Sequence, residues 1–357
     1  MRTARAWFGA ACVLGIAVNA MALPAHFEDP LQQPAQITPM SLRSPVLAVA
    51  QAGTGLVAVG QRGHILRKLS PTATWVQVAA PVSTDLVAVS FSSPEHGWAV
   101  GHDGVVLSSS DGGQSWQRRL DGRMAWQAAV SFYEARAAQG DEAAQHQLNY
   151  LKKVAAQAPA WPFLDVWFRS DSDGYLVGAF GLILHTTDAG NSWTPMMDLT
   201  DNAKRLHLYA VRGHGDDVFI AGEQGIVLRL DAATGRFVAV PLPYKGSLFG
   251  VAVQANRVVV YGLGGHVLLS DDHGATWRVL ETGTTQSFVG SAERPDGALL
   301  LVTQGGKIMQ LPANAMQLSA SGQAIAGEVF GIAPEGDNGV VVATSTGPKP
   351  VRLVGVR

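Results

Sequence analysis

The chain has almost no cysteine and little charge. Cys12 is its single cysteine, and 15% of its 357 residues are Asp, Glu, Lys or Arg, with a net charge of −2. A single cysteine permits no internal disulfide. The near-neutral balance also favours neither nucleic acid nor an anionic membrane surface as a general partner.

Long apolar runs are also missing, except at the N-terminus. Two arginines precede the apolar residues 7–18, and the small-residue motif Ala20-Met21-Ala22 follows. A run of about a dozen residues is too short to span a bilayer, but it suits a secretory signal. We therefore predict a signal peptide over residues 1–22 and a cysteine-free mature chain from Leu23, with an uncleaved anchor as the alternative.

Glycine, by contrast, is abundant, and its 40 copies mark a repeat. Seven segments carry an apolar strand, a second strand that ends in glycine, a two-residue turn and a third strand. These turns begin at Gly60, Gly101, Gly178, Gly222, Gly262, Thr303 and Ser345. The steps between them are 41, 77, 44, 40, 41 and 42 residues. Because four-stranded propeller blades repeat at this interval, we predict an all-β, seven-bladed β-propeller over residues 23–357.

Three repeats add an Asp-box, S/T-x-D-x-G-x-S/T-W, between their third and fourth strands. Its carboxylate is expected to accept hydrogen bonds from its own turn, while its glycine permits a left-handed backbone and its Trp packs between blades. These residues are therefore predicted to be structural rather than catalytic. They are Asp111, Gly113 and Trp116; Asp188, Gly190 and Trp193; and Asp272, Gly274 and Trp277.

The two ends of the propeller are expected to meet in one blade. The last repeat, residues 329–357, has room for about three strands. A propeller usually closes by taking a strand from the other terminus, which leaves little free sheet edge. Residues 35–40 are the predicted closing strand.

The 77-residue step contains an insertion at about residues 121–160. Trp126, Val130 and Tyr133 recur at helical spacing, and Asp141 is placed to cap a second helix. We therefore predict a helical hairpin.

The hairpin also predicts which face binds a partner. Connections from an outer strand to the next inner strand lie on the same face as the glycine turns, and the Asp-boxes lie on the opposite face. Loops of this kind carry function more often than strands do. The predicted partner-binding residues on this face are Trp126 and Tyr133 from the hairpin and His102, Phe180 and Glu223 from the turns.

Two arginines are further candidates for partner binding. Arg169 and Arg212 are predicted to fall at matching positions, just past the inner strands of blades three and four. There they would lie near the central channel and meet an acidic group. Solvated loop arginines are the alternative interpretation.

The repeats resemble those of the photosystem II stability/assembly factor family. The similarity is carried by residues 97–116, 162–168, 177–184, 207–211 and 221–230, and extends over about residues 41–357. Several of these stretches and the inserted hairpin resemble a non-photosynthetic bacterial branch.

This resemblance implies a propeller that catalyses nothing, needs no cofactor or metal, and binds an integral membrane protein during assembly. For the bacterial branch it implies a role beside a resistance-nodulation-division exporter. The predicted protein is therefore a monomeric periplasmic accessory factor that binds no nucleic acid.

Two alternatives remain open. Sialidase-like glycoside hydrolases share Asp-boxes, but they need a tyrosine activated by a glutamate and an acid/base carboxylate. The available pairs are Tyr133-Glu134 and Asp216-Asp217. A small-ligand or lipid carrier would instead use the channel, near the inner-strand aromatics Trp167, Tyr209, Phe249 and Phe330.

Overall fold

The computed structural model describes residues 28–322 and 325–353. These residues form a seven-bladed β-propeller, which confirms the fold class predicted from the repeat. The predicted signal peptide lies outside the described residues. Among those described, no helix combines the length and apolarity needed to cross a bilayer.

Six blades have four antiparallel strands, and the seventh has three among the described residues. Blades one to three contain β1 (Val46–Ala52), β2 (Gly55–Gly60), β3 (Ile65–Lys68) and β4 (Val76–Val78); β5 (Leu86–Phe91), β6 (Gly97–Gly101), β7 (Val106–Ser109) and β8 (Gln117–Leu120); and β9 (Phe163–Phe168), β10 (Gly174–Gly178), β11 (Ile183–Thr186) and β12 (Thr194–Pro195). Blades four and five contain β13 (Leu208–His214), β14 (Asp217–Gly222), β15 (Val227–Asp231) and β16 (Arg236–Ala239); and β17 (Leu248–Gln254), β18 (Arg257–Gly262), β19 (Val267–Ser270) and β20 (Arg278–Leu280). Blades six and seven contain β21 (Phe288–Glu293), β22 (Leu299–Thr303), β23 (Ile308–Leu311) and β24 (Ser319–Ala320); and β25 (Val329–Glu335), β26 (Gly339–Thr344) and β27 (Gly347–Arg352).

The core lies between neighbouring blades. Strand β2 is buried along its whole length, because each of its faces meets another blade. Val57 packs with Leu107 of blade two, while Ala58 packs with Val341 of blade seven. Since both faces are covered, these strands are apolar at nearly every position.

The turns between second and third strands differ from the prediction by one residue. In blade one, the Gly60 N–H donates to the carbonyl oxygen of His64 at 3.0 Å, so three residues, Gln61–Gly63, form the turn. The same three-residue 3-10 turn recurs in blades two to five. The glycine before it is required by close backbone approach, because a Cβ on Gly101 would lie 1.9 Å from the carbonyl oxygen of Asp85.

The insertion forms the predicted helical hairpin, with α1 at Gly122–Ala137 and α2 at Glu142–Lys153. Asp121 caps α1 and accepts the N–H of Met124 at 3.0 Å. Asp141 caps α2 as predicted and accepts the N–H of Ala144 at 3.0 Å. The apolar sides of both helices join a cluster built from blades two and three.

Residues 35–40 do not form the predicted closing strand. The Ala35 N–H donates to the carbonyl oxygen of Ala80 at 3.0 Å. The Gln77 side chain then accepts from Thr38 and donates to the carbonyl oxygen of Gln36, both at 2.9 Å. These contacts hold residues 35–38 at the outer edge of blade one, and Pro39–Arg43 then form a 3-10 helix rather than a strand.

Blade seven therefore ends at β27 within the described chain. The outer edge of β27 contains Pro348 and Pro350, which carry no backbone N–H. An edge with fewer donors is a poor template for another strand. This composition accounts for a three-stranded blade without a closing strand.

Candidate functional site

The inserted hairpin and the three-residue turns lie at one end of the propeller, here called the GxxG face. Its turns are Gln61–Gly63, His102–Gly104, Ala179–Gly181, Glu223–Gly225 and Leu263–Gly265. A Cβ on Gly104 would lie 2.5 Å from Cα of Gly122, at the start of α1. A Cβ on Gly181 would lie 3.4 Å from Cα of Arg205, at the end of the connection 196–205. The hairpin, the turns and this connection thus share one face, as the topology predicts.

A row of aromatic side chains crosses the GxxG face from the hairpin to the mouth of the channel. We call Trp161, Phe180, His207, Tyr209 and Phe249 the aromatic row. Successive ring centroids are separated by 4.6, 4.7, 6.4 and 5.6 Å. Aromatic rings at such distances attract one another and present broad apolar surfaces with little conformational freedom. This row is the largest aromatic feature of the face.

Phe180 is the most exposed member of the aromatic row, and it lies at the tip of its turn. It is 39% exposed and has a φ of 55°. The equivalent positions in the other turns include Arg62, Gln224 and Gly264. A left-handed backbone costs a residue with a Cβ about 1–2 kcal/mol, and a bulky aromatic is an unusual occupant. Arg62, Asp103 and Gln224 share this left-handed φ, so the turn imposes the backbone, and blade three differs in placing an exposed aromatic ring there.

Arg205 adds a cation beside the row. Its guanidinium carbon lies 3.5 Å from the centroid of the Tyr150 ring in α2. The side chain is half-buried, and burial lowers the pKa of Arg205. No carboxylate pairs with it within residues 28–322 and 325–353. Such a guanidinium, held against a ring, is placed to meet an acidic group of a partner.

The predicted candidates on this face have different environments. His102 is exposed at the turn of blade two. Glu223 accepts a hydrogen bond from the backbone N–H of His207 at 2.8 Å and so holds the backbone of one member of the aromatic row. Trp126 is half-buried between the hairpin and the propeller, so only part of its ring is accessible.

Tyr133 is placed differently from the surface residues. It is 0% exposed, and its hydroxyl donates to Oδ1 of Asp198 at 2.9 Å. Its side chain is therefore inaccessible to a partner and instead attaches α1 to the propeller. Helical spacing alone did not distinguish the exposed side of α1 from its packed side.

The two arginine candidates do not occupy matching positions. Arg212 lies within β13 opposite Phe219, whereas Trp167 is its counterpart in blade three. Arg169 follows β9 on the opposite face, 3.4 Å from Oδ1 of Asp216. The prediction of a matched pair is wrong, because β13 continues through Gly213 and His214 and takes Arg212 into the sheet.

Arg212 nevertheless faces the central channel. Its Nη1 lies 2.5 Å from Oδ2 of Asp165, a carboxylate that also accepts the Val211 N–H at 2.9 Å. Burial raises the pKa of Asp165, and the Arg212 charge opposes that shift. The guanidinium therefore pairs with an acidic group of the protein itself, and its predicted role in partner binding stays a prediction.

The channel is narrow. Its volume is about 220 Å³, and its lining includes Tyr209, Phe249 and Phe330. Trp167 packs on Tyr175 instead, at 6.5 Å between centroids. Pockets for small molecules usually have at least about 300 Å³, so this geometry gives little support to a carrier.

The residues considered for hydrolysis do not assemble. Tyr133 is in the core, while Asp216 and Asp217 are at the opposite face. The Asp217 carboxylate pairs with Nη2 of Arg229 at 2.7 Å and with Nδ1 of His273 at 2.5 Å. In the part of the chain that is described, no group of three His, Cys, Asp or Glu side chains is arranged to hold a metal.

The Asp-box carboxylates are held by their own turns. In blade three, Asp188 accepts from the Ser192 N–H at 2.9 Å and from its hydroxyl at 2.6 Å. The hydroxyl of Ser192 is the main cause of a pKa of Asp188 lowered to about 2. The side chain of Thr276 has the same effect on Asp272, whose pKa is also about 2.

The first box shows the same arrangement with a buried ring. Burial opposes ionisation of Asp111, but hydrogen bonds from Ser115 and Ser109 prevail and lower its pKa to about 2. The indole of Trp116 donates to the carbonyl oxygen of Gly113 at 3.1 Å. Trp277 repeats this bond in blade five at 3.0 Å, whereas Trp193 packs edge-on against Trp98.

Fold and face together define an Asp-box β-propeller with a row of aromatic side chains at one end. Residues 67–143 and 143–311 match the family described as Photosynthesis system II assembly factor YCF48. The chain belongs to this family.

Two curated relatives show how far sequences have diverged within the family. The chain is 22% identical over 259 residues to the Photosystem II assembly lipoprotein Ycf48 of Synechococcus sp. (strain CC9902), covering 71% of this chain and 67% of the relative. It is 32% identical over 136 residues to the Photosystem II assembly protein Ycf48 of Synechococcus sp. (strain JA-2-3B'a(2-13)), covering 35% of this chain and 40% of the relative.

Solved structures share the fold at lower identity. A structure described as YCF48 bound to D1 peptide has a TM-score of 0.63 and 15% identity, covering 94% of this chain and 100% of that one. YCF48 from Cyanidioschyzon merolae has a TM-score of 0.62 and 14% identity, with coverage of 89% and 98%.

Proposed function

We propose that this protein is an exported, non-catalytic propeller that binds a segment of a membrane protein on its GxxG face and assists the assembly or action of that protein. The observation that carries the proposal is Phe180, an exposed ring in a left-handed turn within the aromatic row. The family adds support, because its curated relatives are named as assembly factors.

The chemistry of the face suits a peptide. Apolar side chains of a partner segment would stack on Phe180, Tyr209 and Phe249, which are partly exposed. An acidic side chain or a terminal carboxylate would pair with Arg205. Rigid aromatic anchors beside a cation are typical of the residues that dominate protein interfaces. The relative solved with a D1 peptide supports a peptide as the kind of ligand.

The pairing of the Asp-box and channel carboxylates supports a role without catalysis. The three Asp-box carboxylates accept hydrogen bonds from their own turns, so they are occupied as structural groups. The channel carboxylate Asp165 is neutralised by Arg212. These pairings support a binding role.

The proposed setting is the periplasm, where the predicted signal peptide would deliver the chain. The hairpin resembles that of a bacterial branch outside photosynthesis, and it forms one wall of the GxxG face. We therefore favour a resistance-nodulation-division exporter as the membrane partner.

Site-specific photocrosslinking in the native host tests the proposal. A photoreactive amino acid at position 180 would probe the GxxG face, and the same amino acid at Gln114 would probe an exposed Asp-box loop on the opposite face. The expected result is an adduct between position 180 and an integral membrane protein that is absent from position 114. An exporter subunit in the adduct would identify the favoured partner class. Equal labelling from both positions, or only soluble adducts from position 180, would overturn the proposal.

A further inference from the structure

An apolar and basic surface lies at the outer rim of blade one, where residues 39–43 also contact β27 of blade seven. Three apolar side chains in six consecutive residues are strongly exposed: Ile37 at 61%, Met40 at 63% and Leu42 at 40%. They precede β1 and cross the outer edge of the blade. Together with Arg43 and Lys349 they are called the rim patch.

The local fold holds these side chains outward. Residues Pro39–Arg43 form a 3-10 helix in which the Thr38 side chain accepts the N–H of Met40. The buried residue of this helix is Ser41, at 1% exposure, whereas its Met and Leu face solvent. A short helix that buries its serine and exposes its apolar residues is inverted relative to ordinary packing. An inverted arrangement of this kind indicates an interaction surface rather than a lone exposed residue.

Two cations border the apolar side chains. Residues three apart in a 3-10 helix lie on the same side, so Arg43 projects beside Met40. Gly347 abuts the helix, because a Cβ on it would lie 2.2 Å from the carbonyl oxygen of Leu42. Lys349 follows two residues further along β27 and is exposed. Both cations are exposed, and neither forms an ion pair with any described residue.

This combination points to one occupant. We propose that the rim patch inserts Ile37, Met40 and Leu42 into the interface of an anionic bilayer, with Arg43 and Lys349 against lipid phosphates. Apolar side chains bordered by cations bind such interfaces through burial and charge together. A symmetric contact between two copies would place the same unpaired cations near each other, which disfavours a dimer. The net charge of −2 gives the whole protein no electrostatic attraction to an anionic membrane. Any such attraction must therefore come from a local cluster of cations.

The proposal is independent of partner binding, because the rim patch and the aromatic row share no residue. Membrane contact at the rim would hold the propeller at the bilayer surface, where segments of membrane proteins emerge. Its failure would leave the peptide-binding proposal unaffected, and the two can be measured separately.

Vesicle flotation of the mature protein tests this inference. The probes are phosphatidylcholine vesicles with and without phosphatidylglycerol. Wild type is expected to float with the anionic vesicles and to be released by high salt. The Arg43→Ala/Lys349→Ala variant should lose binding by roughly tenfold or more, since each cation near the surface contributes about fivefold. The Ile37→Ser/Met40→Ser/Leu42→Ser variant should also lose binding by roughly tenfold or more, because it removes the apolar area that enters the interface.

Met316→Ser is the matched control, because Met316 is 55% exposed in a different blade. It should bind as wild type does, and thermal unfolding of every variant should match. Absence of wild-type flotation, or equal loss in the control, would overturn the inference. So would a concentration-dependent doubling of mass that the apolar variant abolishes, since that result assigns the patch to a second copy.

Discussion

The hydroxyl of Tyr133 donates a hydrogen bond to Oδ1 of Asp198 at 2.9 Å, which ties the inserted hairpin to the connection between blades three and four. Arg136 adds an ion pair, with Nη1 2.8 Å from Oδ2 of the same carboxylate. The Asp198 side chain is only 2% exposed, so it depends on these two partners. The same connection ends at Arg205, which means that hairpin docking also positions the cation of the GxxG face.

Replacing Tyr133 with Phe removes the hydroxyl and leaves a buried carboxylate oxygen without its donor. We expect the free energy of unfolding to fall by about 1–3 kcal/mol. Urea denaturation measures this change. Tyr150→Phe is the control, because it keeps the ring that faces Arg205, and it should shift stability by less than about 0.5 kcal/mol. Equal stability of Tyr133→Phe and wild type would contradict the docking role.

Phe180 allows backbone strain to be separated from ring packing. Asn tolerates the left-handed backbone, whereas Ala keeps most of the strain and also loses the ring. Phe180→Asn should therefore be more stable than Phe180→Ala, by on the order of 0.5–1 kcal/mol. Thermal unfolding of the two variants decides the order. If Ala is the more stable, the turn at position 180 is not strained.

The Asp-boxes predict a particular acid sensitivity. Their carboxylates have pKa values lowered from 3.8 to about 2, so their stabilising contribution is complete above pH 4 and disappears as pH falls toward 2. The stability gap between wild type and Asp188→Asn/Asp272→Asn should be largest at neutral pH and should narrow across this range. Melting temperatures from pH 7 to pH 2.5 measure it. A gap that stays constant with pH would refute the ionised, hydrogen-bonded state of these groups.

Gly101 tests the steric reason for the repeat. Alanine there would place Cβ 1.9 Å from the Asp85 carbonyl oxygen and disturb the bond from the His102 N–H to that oxygen, now 2.9 Å. We expect a loss on the order of 3 kcal/mol. Gly140→Ala is the comparison, because Gly140 has a φ of 85° but open space around it, and should cost about 1 kcal/mol. Similar losses at both positions in denaturant titrations would argue against the close-approach explanation.

The first five blades could be predicted from the sequence because one steric requirement recurs in each of them. Close backbone approach requires glycine before the turn in these blades, and the spacing of the turns, with Thr303 and Ser345 as weaker copies, sets the blade count. The hairpin was also predictable, since Asp141 and the apolar spacing are local signals. The path of residues 35–40 was not, because the Gln77 side chain fixes it from 39 positions away along the chain.

The sequence predicted the face that carries the candidate site better than it predicted the individual residues of the site. Topology alone placed the hairpin with Phe180, His102 and Glu223. Trp161 and Arg205 were missed, because their roles depend on contacts with Phe180 and Tyr150 that link separate elements. Arg212 was misplaced by uncertainty about where β13 ends. Two ladder pairs beyond Arg212, Gly213 with Val218 and His214 with Asp217, place that residue within the strand and its side chain at the channel.

Affinity capture from detergent-solubilised membranes tests the central claim most directly. Tagged mature wild type, Phe180→Asn and the opposite-face variant Gln114→Ala would be compared by quantitative mass spectrometry, with matched folding verified first. The account predicts that wild type and Gln114→Ala enrich the same integral membrane protein and that Phe180→Asn reduces this enrichment by roughly fivefold or more. Undiminished capture by Phe180→Asn, or no membrane protein enriched by wild type, would contradict it.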